Sequence, residues 1–279
     1  MKLKEILTPS EKRKAVTQIR NAVPCASNYH DCMFEMPQSE WDAYRIFEDD
    51  TSGTFAGISP EGNFNVYSSS KASADMHLVV SQLIELNNGI LPKYYRGNIE
   101  TSVAILQNQK LLENLTTLQP IANFSISLDE AASQLKAREP LMGDTVFFKA
   151  RNTSEHLKLV EEWFQQYNAE SGSNYSSKIP ASEGIYGLYI MTSKTGELVG
   201  GFSIELPSDR FTWGNRAFVT KKQRGTLVAS ALWHEFLQIS VENKKPPALQ
   251  YPRSNNVSKE FLAKMQCEPL GTTFYAKFF

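Results

Sequence analysis

The sequence predicts a mixed α/β fold in which one architecture occurs twice in tandem. Three observations lead there. A chain of 279 residues suits two units of roughly 100–150 residues, because single cores stop growing usefully beyond that size. Each half shows the same order of patterns: an antiparallel meander of short β-branched and aromatic runs, then helix, strand, helix, strand. Near residue 220, a strand passes through a polar loop with one arginine and one glycine into a long helix. No residue-level repeat accompanies the repeated order. The expected units are 1–139 and 140–279, divided where Glu139-Pro140 and Met142-Gly143 interrupt the periodicity.

In the first half, residues 1–22 interleave basic residues with Leu3, Ile6, Leu7, Val16 and Ile19, the spacing of one amphipathic helix. Runs at 44–48, 54–58 and 64–67, separated by Thr51-Ser52-Gly53 and Ser59-Pro60-Glu61-Gly62, read as a meander. A helix is expected over 70–88, with Met76, Val79, Val80 and Leu83 inward and Gly89 as its stop. After a strand at 90–95, a helix over 99–115 has Asn98 as its expected N-cap, and a strand at 121–128 closes the unit. The second half opens with a strand at 145–151. A helix follows with Leu157, Val160, Trp163, Phe164 and Tyr167 inward, opened by Asn152 and Glu155 at capping-box spacing. Strands at 185–192 and 197–206 form a hairpin and 211–220 a third strand, followed by a helix at 227–243, a strand at 249–253, a helix at 257–265 and a last strand at 269–278.

Composition narrows the function classes. Hydrophobic residues at 41% and charged residues at 21% supply a core for each half and exclude a disordered chain. A formal net charge of -1 provides no basic field, so no nucleic-acid partner is expected. Cys25, Cys32 and Cys267 are odd in number, and His30, His77, His156 and His234 are scattered, so neither a structural disulfide nor a metal site is expected. No apolar run approaches the ~20 residues of a membrane span, and the first residues have neither a secretory core nor, with Glu5 and Glu11, the acid-poor character of a mitochondrial presequence. The expected location is the cytoplasm, with the mitochondrion as the alternative. Oligomeric state has no signal in the sequence.

The segment VTKKQRGTLVASAL (219–232) carries the chemistry. A helix start leaves its first N–H groups unpaired, and together with the positive end of the helix dipole they form a site for a pyrophosphate. Arg224, Gly225, Thr226, Leu227, Val228 and Ala229 would hold it. The segment resembles the coenzyme A signature of GNAT acyltransferases, an Arg or Gln, two residues, Gly, one residue, then Gly or Ala. Arg224 and Ala229 fit, and Leu227 stands in place of the first small residue. Downstream, NNVSKEFLAKMQCEPLG (255–271) is similar to the family's second signature, an asparagine and a helix ending in Phe-Tyr-Glu-Lys-Leu-Gly-Phe. Phe261, Lys264 and Met265 suit it; Leu262 replaces the tyrosine that serves as general acid, and Gln266-Cys267 replace Gly-Phe. The resemblance implies a tandem GNAT-like fold with a degenerate N-terminal copy, acetyl-CoA or another acyl-CoA as co-substrate, and Asn255 and Asn256 either as pantetheine contacts or as a plain helix cap.

A divergent first half joined to such a second half is similar to the glycine N-acyltransferase-like family, with faint support from WDAY (41–44), NVYS (65–68) and SLDEAA (127–132). That resemblance implies acyl transfer to the amine of glycine or another small amino acid. It also implies a glutamate base on the strand before the loop, where Trp213 falls; Glu205 and Asp209 are the nearest acids. Backbone N–H groups near Phe218 and Val219 would support the thioester oxyanion, and mutual repulsion would raise one carboxylate of the Glu205–Asp209 pair towards the working range. Arg45, Tyr94, Tyr95 and Arg96 of the first half are candidates to meet an acceptor carboxylate. Two other readings stay open: acetylation of protein lysines or N-termini, and a non-catalytic acyl-CoA-binding module.

Overall fold

A computed structural model describes residues 2–26, 38–49, 53–69, 76–137, 144–171, 185–204 and 208–279. Two compact units emerge: Met1–Phe124 together with Gln250–Phe279, and Ser125–Leu249. The division expected at 139/140 falls in 138–143, outside the described residues. The chain passes from the first unit to the second at Phe124 and returns at Gln250.

The first unit contains β1 (Lys4–Ile6), α1 (Pro9–Ala22), α2 (Gln38–Ala43), β2 (Arg45–Asp49), β3 (Thr54–Ile58), β4 (Phe64–Ser68), α3 (Met76–Leu86), β5 (Tyr94–Asn98), α4 (Ile99–Gln107), α5 (Gln109–Asn114) and nearly all of β6 (Leu115–Ser125). Its strands lie in the order β1-β2-β3-β4-β5, then β12 (Glu268–Phe278), the last strand of the chain, then β6. The meander is antiparallel, β4 and β5 are parallel, and β5 and β12 are antiparallel. Alternation along β2 sends Ile46 to a cluster beneath α1 with Val16, Ile19, Phe55 and Tyr67. Phe47 goes to the opposite cluster with Phe64, Val66, Val80, Leu83, Tyr95, Ile105 and Phe274.

Two helices differ from expectation. The span 1–22 is a strand followed by a helix, because Pro9 sets the first helical φ and Thr8 Oγ1 accepts from Glu11 N–H at 3.3 Å, while Lys4–Ile6 pairs with β2. The span 99–115 breaks at Asn108, whose Oδ1 accepts from Leu111 N–H at 3.1 Å and starts α5 afresh. The candidates for an acceptor carboxylate are engaged within this unit. Arg45 is bidentate to Glu5, with both N···O distances 2.9 Å, and donates to the Leu86 carbonyl at 2.7 Å. Tyr95 is fully buried and donates to the Thr101 carbonyl, while Tyr94 stacks on Tyr275 and the Arg96 guanidinium lies over the same ring.

The second unit contains α6 (Leu128–Ala137), β7 (Thr145–Lys149), α7 (Ser154–Ser171), β8 (Gly187–Ser193), β9 (Leu198–Ile204), β10 (Thr212–Val219), α8 (Val228–Glu242) and the first residues of β11 (Pro247–Pro252), with strand order β11-β10-β9-β8-β7. The chain then enters α9 (Asn256–Lys264) and β12, which group with the first unit. Helix α7 buries Val160, Trp163 and Phe164 against Leu188, Ile190, Leu198 and Phe218 and leaves Leu157 exposed. Its cap is Thr153 rather than Asn152, with Thr153 Oγ1 accepting from His156 N–H at 3.3 Å. On the other face, Phe236 of α8 meets Phe202 edge-on, and Trp233 Nε1 of α8 donates to Gln134 Oε1 of α6 at 3.1 Å.

In the first unit the parallel pair β4/β5 is sewn together beyond its last paired residues, Val66 and Gly97. Asn98 Oδ1 accepts from Ser68 N–H at 3.0 Å and its Nδ2 donates to the Ser68 carbonyl at 2.7 Å, so one side chain supplies both halves of a ladder rung. Thr101 Oγ1 donates to the Val66 carbonyl at 2.8 Å. The approach is close enough to require Gly97, where a Cβ would lie 2.2 Å from Thr101 Oγ1 and 2.4 Å from the Val66 oxygen. Both Asn98 and Ser68 are buried. Asn98→Ala therefore strands a buried N–H and a buried carbonyl, and should lower unfolding stability by about 2 kcal/mol in a urea titration.

Candidate functional site

The second unit turns its parallel pair into an open junction. Strand β10 pairs with β11 only over Thr212–Gly214 against Pro247–Leu249, and then runs on to Val219. Between Asn215 and Phe218 its register with β9 shifts, with Arg216 at φ 49°, a bulge that bends the strand. Thr220 N–H bonds the Val199 carbonyl at 3.0 Å, and a single 3₁₀ turn, Lys221–Gln223, reverses the chain. Gly225 takes φ 80°, in the left-handed region, and a Cβ there would meet nothing within 4 Å; backbone conformation, not space, selects glycine.

Helix α8 then begins with its donors turned outward. Its first backbone bond runs from Ala231 N–H to the Leu227 carbonyl at 2.9 Å. Leu227, at the N-cap, has no side-chain acceptor to offer, and Val228 N–H reaches only Thr226 Oγ1 at 3.4 Å. Ala229 and Ser230 N–H have no acceptor among the described residues. A pocket of about 340 Å³ opens here, lined by Thr145, Gln223, Thr226, Leu227, Val228 and Ala231. Leu227 is 54% exposed, an apolar side chain on a rim that mixes Thr145, Gln223 and Thr226 with Val228 and Ala231.

Arg224 is fixed from three sides. Its Nε donates to the Val219 carbonyl at 3.2 Å, its guanidinium carbon lies 5.6 Å from the centre of the Phe218 ring, and its Nη2 pairs with Glu170 Oε2 on α7. Phe218 is braced in turn by the edge-on rings of Trp163, at 6.4 Å, and Tyr167, at 6.2 Å. Of the residues expected to bind coenzyme A, Phe218, Val219, Arg224, Gly225, Thr226, Leu227, Val228 and Ala229 thus meet at one junction. Asn255 and Asn256 lie in the first unit, where Asn255 Oδ1 accepts from Ser258 N–H at 3.1 Å as the cap of α9. Glu205 lies outside the described residues. Asp209 is exposed at the turn before β10, where Ser208 Oγ accepts from Arg210 and Phe211 N–H.

Trp213, in the register expected for a strand glutamate, is fully buried, and its indole N–H has no partner among the described residues. Burial raises the Cys267 thiol to about 12, which keeps it protonated and unreactive. Glu170, Thr145 and the aromatic brace were missed from sequence. The signal for the brace was there: Trp163, Tyr167 and Glu170 follow one another at i, i+4 and i+7 on one helix face.

No family model matches the chain, and a search of curated proteins finds no match. Solved structures do match. A Drosophila protein from a structural genomics programme has a TM-score of 0.63 at 11% identity, covering 99% of this chain and 98% of its own. A GCN5-related N-acetyltransferase from Sphaerobacter thermophilus gives 0.55 at 12% identity over 99% and 95%. A tandem GNAT protein from the clavulanic acid biosynthesis pathway gives 0.52 at 11% identity over 99% and 98%. The chain has a tandem GNAT-like fold. At these identities the likeness extends to architecture and not to residues. Among the described residues no group of three His, Cys, Asp or Glu is placed to hold a metal ion, and no helix is long and apolar enough to cross a membrane.

Helix α8 also carries a titration signature. Burial, and then the charge of Glu242, raises the Glu235 carboxyl above its ordinary value. A raised folded value means that stability is fully present below the ordinary carboxylate pKa and is lost as pH rises through the folded one. Glu235→Gln should accordingly raise the unfolding temperature at about pH 8, with the gain shrinking towards pH 4, measured by thermal scans of both proteins.

Proposed function

We propose that the protein is an acyl-CoA-dependent N-acyltransferase that binds coenzyme A in its second unit and transfers the acyl group to the amine of glycine or another small amino acid. One observation carries the reading: the outward N–H groups of Ala229 and Ser230 beside Arg224, at the start of a crossover helix, are donors that a diphosphate would satisfy. The first unit has the same strand-helix-strand order, but Asn98 and Thr101 lace its parallel pair shut, which supports a single acyl-CoA site.

Attack on a thioester requires a neutral amine and donors for the oxyanion. Backbone N–H groups at Phe218 and Val219, just past the bulge, are the proposed donors. The proposed base is Glu205 first and Asp209 second, since buried Trp213 leaves no carboxylate on β10 itself. A non-catalytic acyl-CoA-binding module is the second reading, favoured by Trp213 and by exposed Leu227 on the rim.

Release of free CoA thiol from a panel of acyl-CoAs, with and without amino acids, separates the two. Turnover that depends on an amino acid removes the module, whereas tight binding without turnover removes the enzyme. Arg224→Glu should weaken CoA binding at least tenfold by calorimetry, about 1.4 kcal/mol, because a negative charge enters the cradle; an unchanged affinity would place the cofactor elsewhere. Glu205→Gln should keep CoA affinity and lower turnover ~10²–10⁴-fold, least at high pH where free amine is abundant, with a smaller effect from Asp209→Asn. Near-normal turnover across pH would reassign the base.

A further inference from the structure

An acidic side chain already sits on the arginine of the anion cradle. The face of α7 that carries Trp163 and Tyr167, stacked on each other at 5.2 Å, ends with Glu170, and both rings pack on Phe218, the residue over which the Arg224 guanidinium lies. The aromatic brace therefore fixes where Glu170 ends, and its carboxylate pairs with Arg224. The pair is half exposed, with 48% of the arginine side chain and 39% of the glutamate side chain accessible. An ion pair this exposed is weak and exchanges readily for a stronger anion, while a carboxylate left beside that anion repels it.

Resting on the coenzyme A site proposed above, we infer that Glu170 is an intramolecular stand-in for the phosphate: it holds the Arg224 guanidinium in the free protein, is displaced when the diphosphate of an acyl-CoA binds, and so limits the protein's affinity for phosphorylated ligands. The geometry of Arg224 is kept ready by Phe218 and the Val219 carbonyl whichever anion occupies it. Lys221 and Lys222, exposed on the 3₁₀ turn before Arg224, add positive charge on the loop and none on Glu170's own helix face.

The test is calorimetry on the full chain with CoA and, as a probe without phosphate, acetyl-pantetheine. Glu170→Gln, which keeps the volume at an exposed site, should tighten CoA about three- to tenfold at low ionic strength, with the gain shrinking in high salt, and leave acetyl-pantetheine unchanged. In an Arg224→Gln background the gain should be smaller, because no guanidinium is left to release. If the unaltered protein binds CoA but Glu170→Gln binds it equally or less well, the inference falls and the coenzyme A site stands. Equal tightening of both probes would mean a change in packing and would also overturn it. Failure of every variant and of the unaltered protein to bind CoA overturns the site and the inference together.

Discussion

Two parallel strands cannot be joined by a tight turn, so the chain must climb back through a crossover, and a helix is the compact way to make it. That constraint sets the site. With β10 and β11 parallel, α8 has to start at the carboxyl end of β10, and its first N–H groups then face outward at the point where β10 has run past its partner. The bulge, the 3₁₀ turn and the left-handed Gly225 are the local means of making that reversal in few residues. The brace of Trp163 and Tyr167 under Phe218 keeps the loop's root in place.

The same constraint operates in the first unit and leads to a different end. There β4, α3 and β5 repeat the crossover, but the strand pair is closed by side chains that imitate backbone. Asn98 offers a donor and an acceptor in the spacing of a peptide group, and Thr101 adds a third bond over the bare Cα of Gly97. A buried polar side chain with its bonds satisfied is rigid and costly to open. Tandem copies of one architecture can thus diverge without any change in element order, by exchanging a few residues at the end of one strand.

Trp213 bears on where a carboxylate can stand near β10. A carboxylate at a fully buried strand position would pay a large desolvation penalty unless paired, and the indole there removes the need for one. Asp209, by contrast, stands exposed to water at the turn before β10.

The sequence by itself determined the meander of short strands, the helices that follow it, the tandem order and the β10–α8 junction, since each depends on patterns within a dozen residues: alternation, helical spacing, a glycine needed at positive φ. The starts of α4, α7, α8 and α9 were legible to within a residue or two, with the cap of α7 on Thr153 and not Asn152, whereas the starts of α1 and α5 were not, and β1 was hidden because apolar residues in a short strand mimic a helical stripe. Only the tertiary structure decided that β12 pairs with β5 in the first unit, that Asn98 closes β4/β5, and that Glu170 occupies Arg224. These partners are separated by 30 to 183 residues (Ser68 to Asn98; Tyr94 to Lys277), with Glu170 and Arg224 54 apart. A pairing across that span is selected by burial and hydrogen bonding in the folded chain, and nothing in either local sequence names the other side.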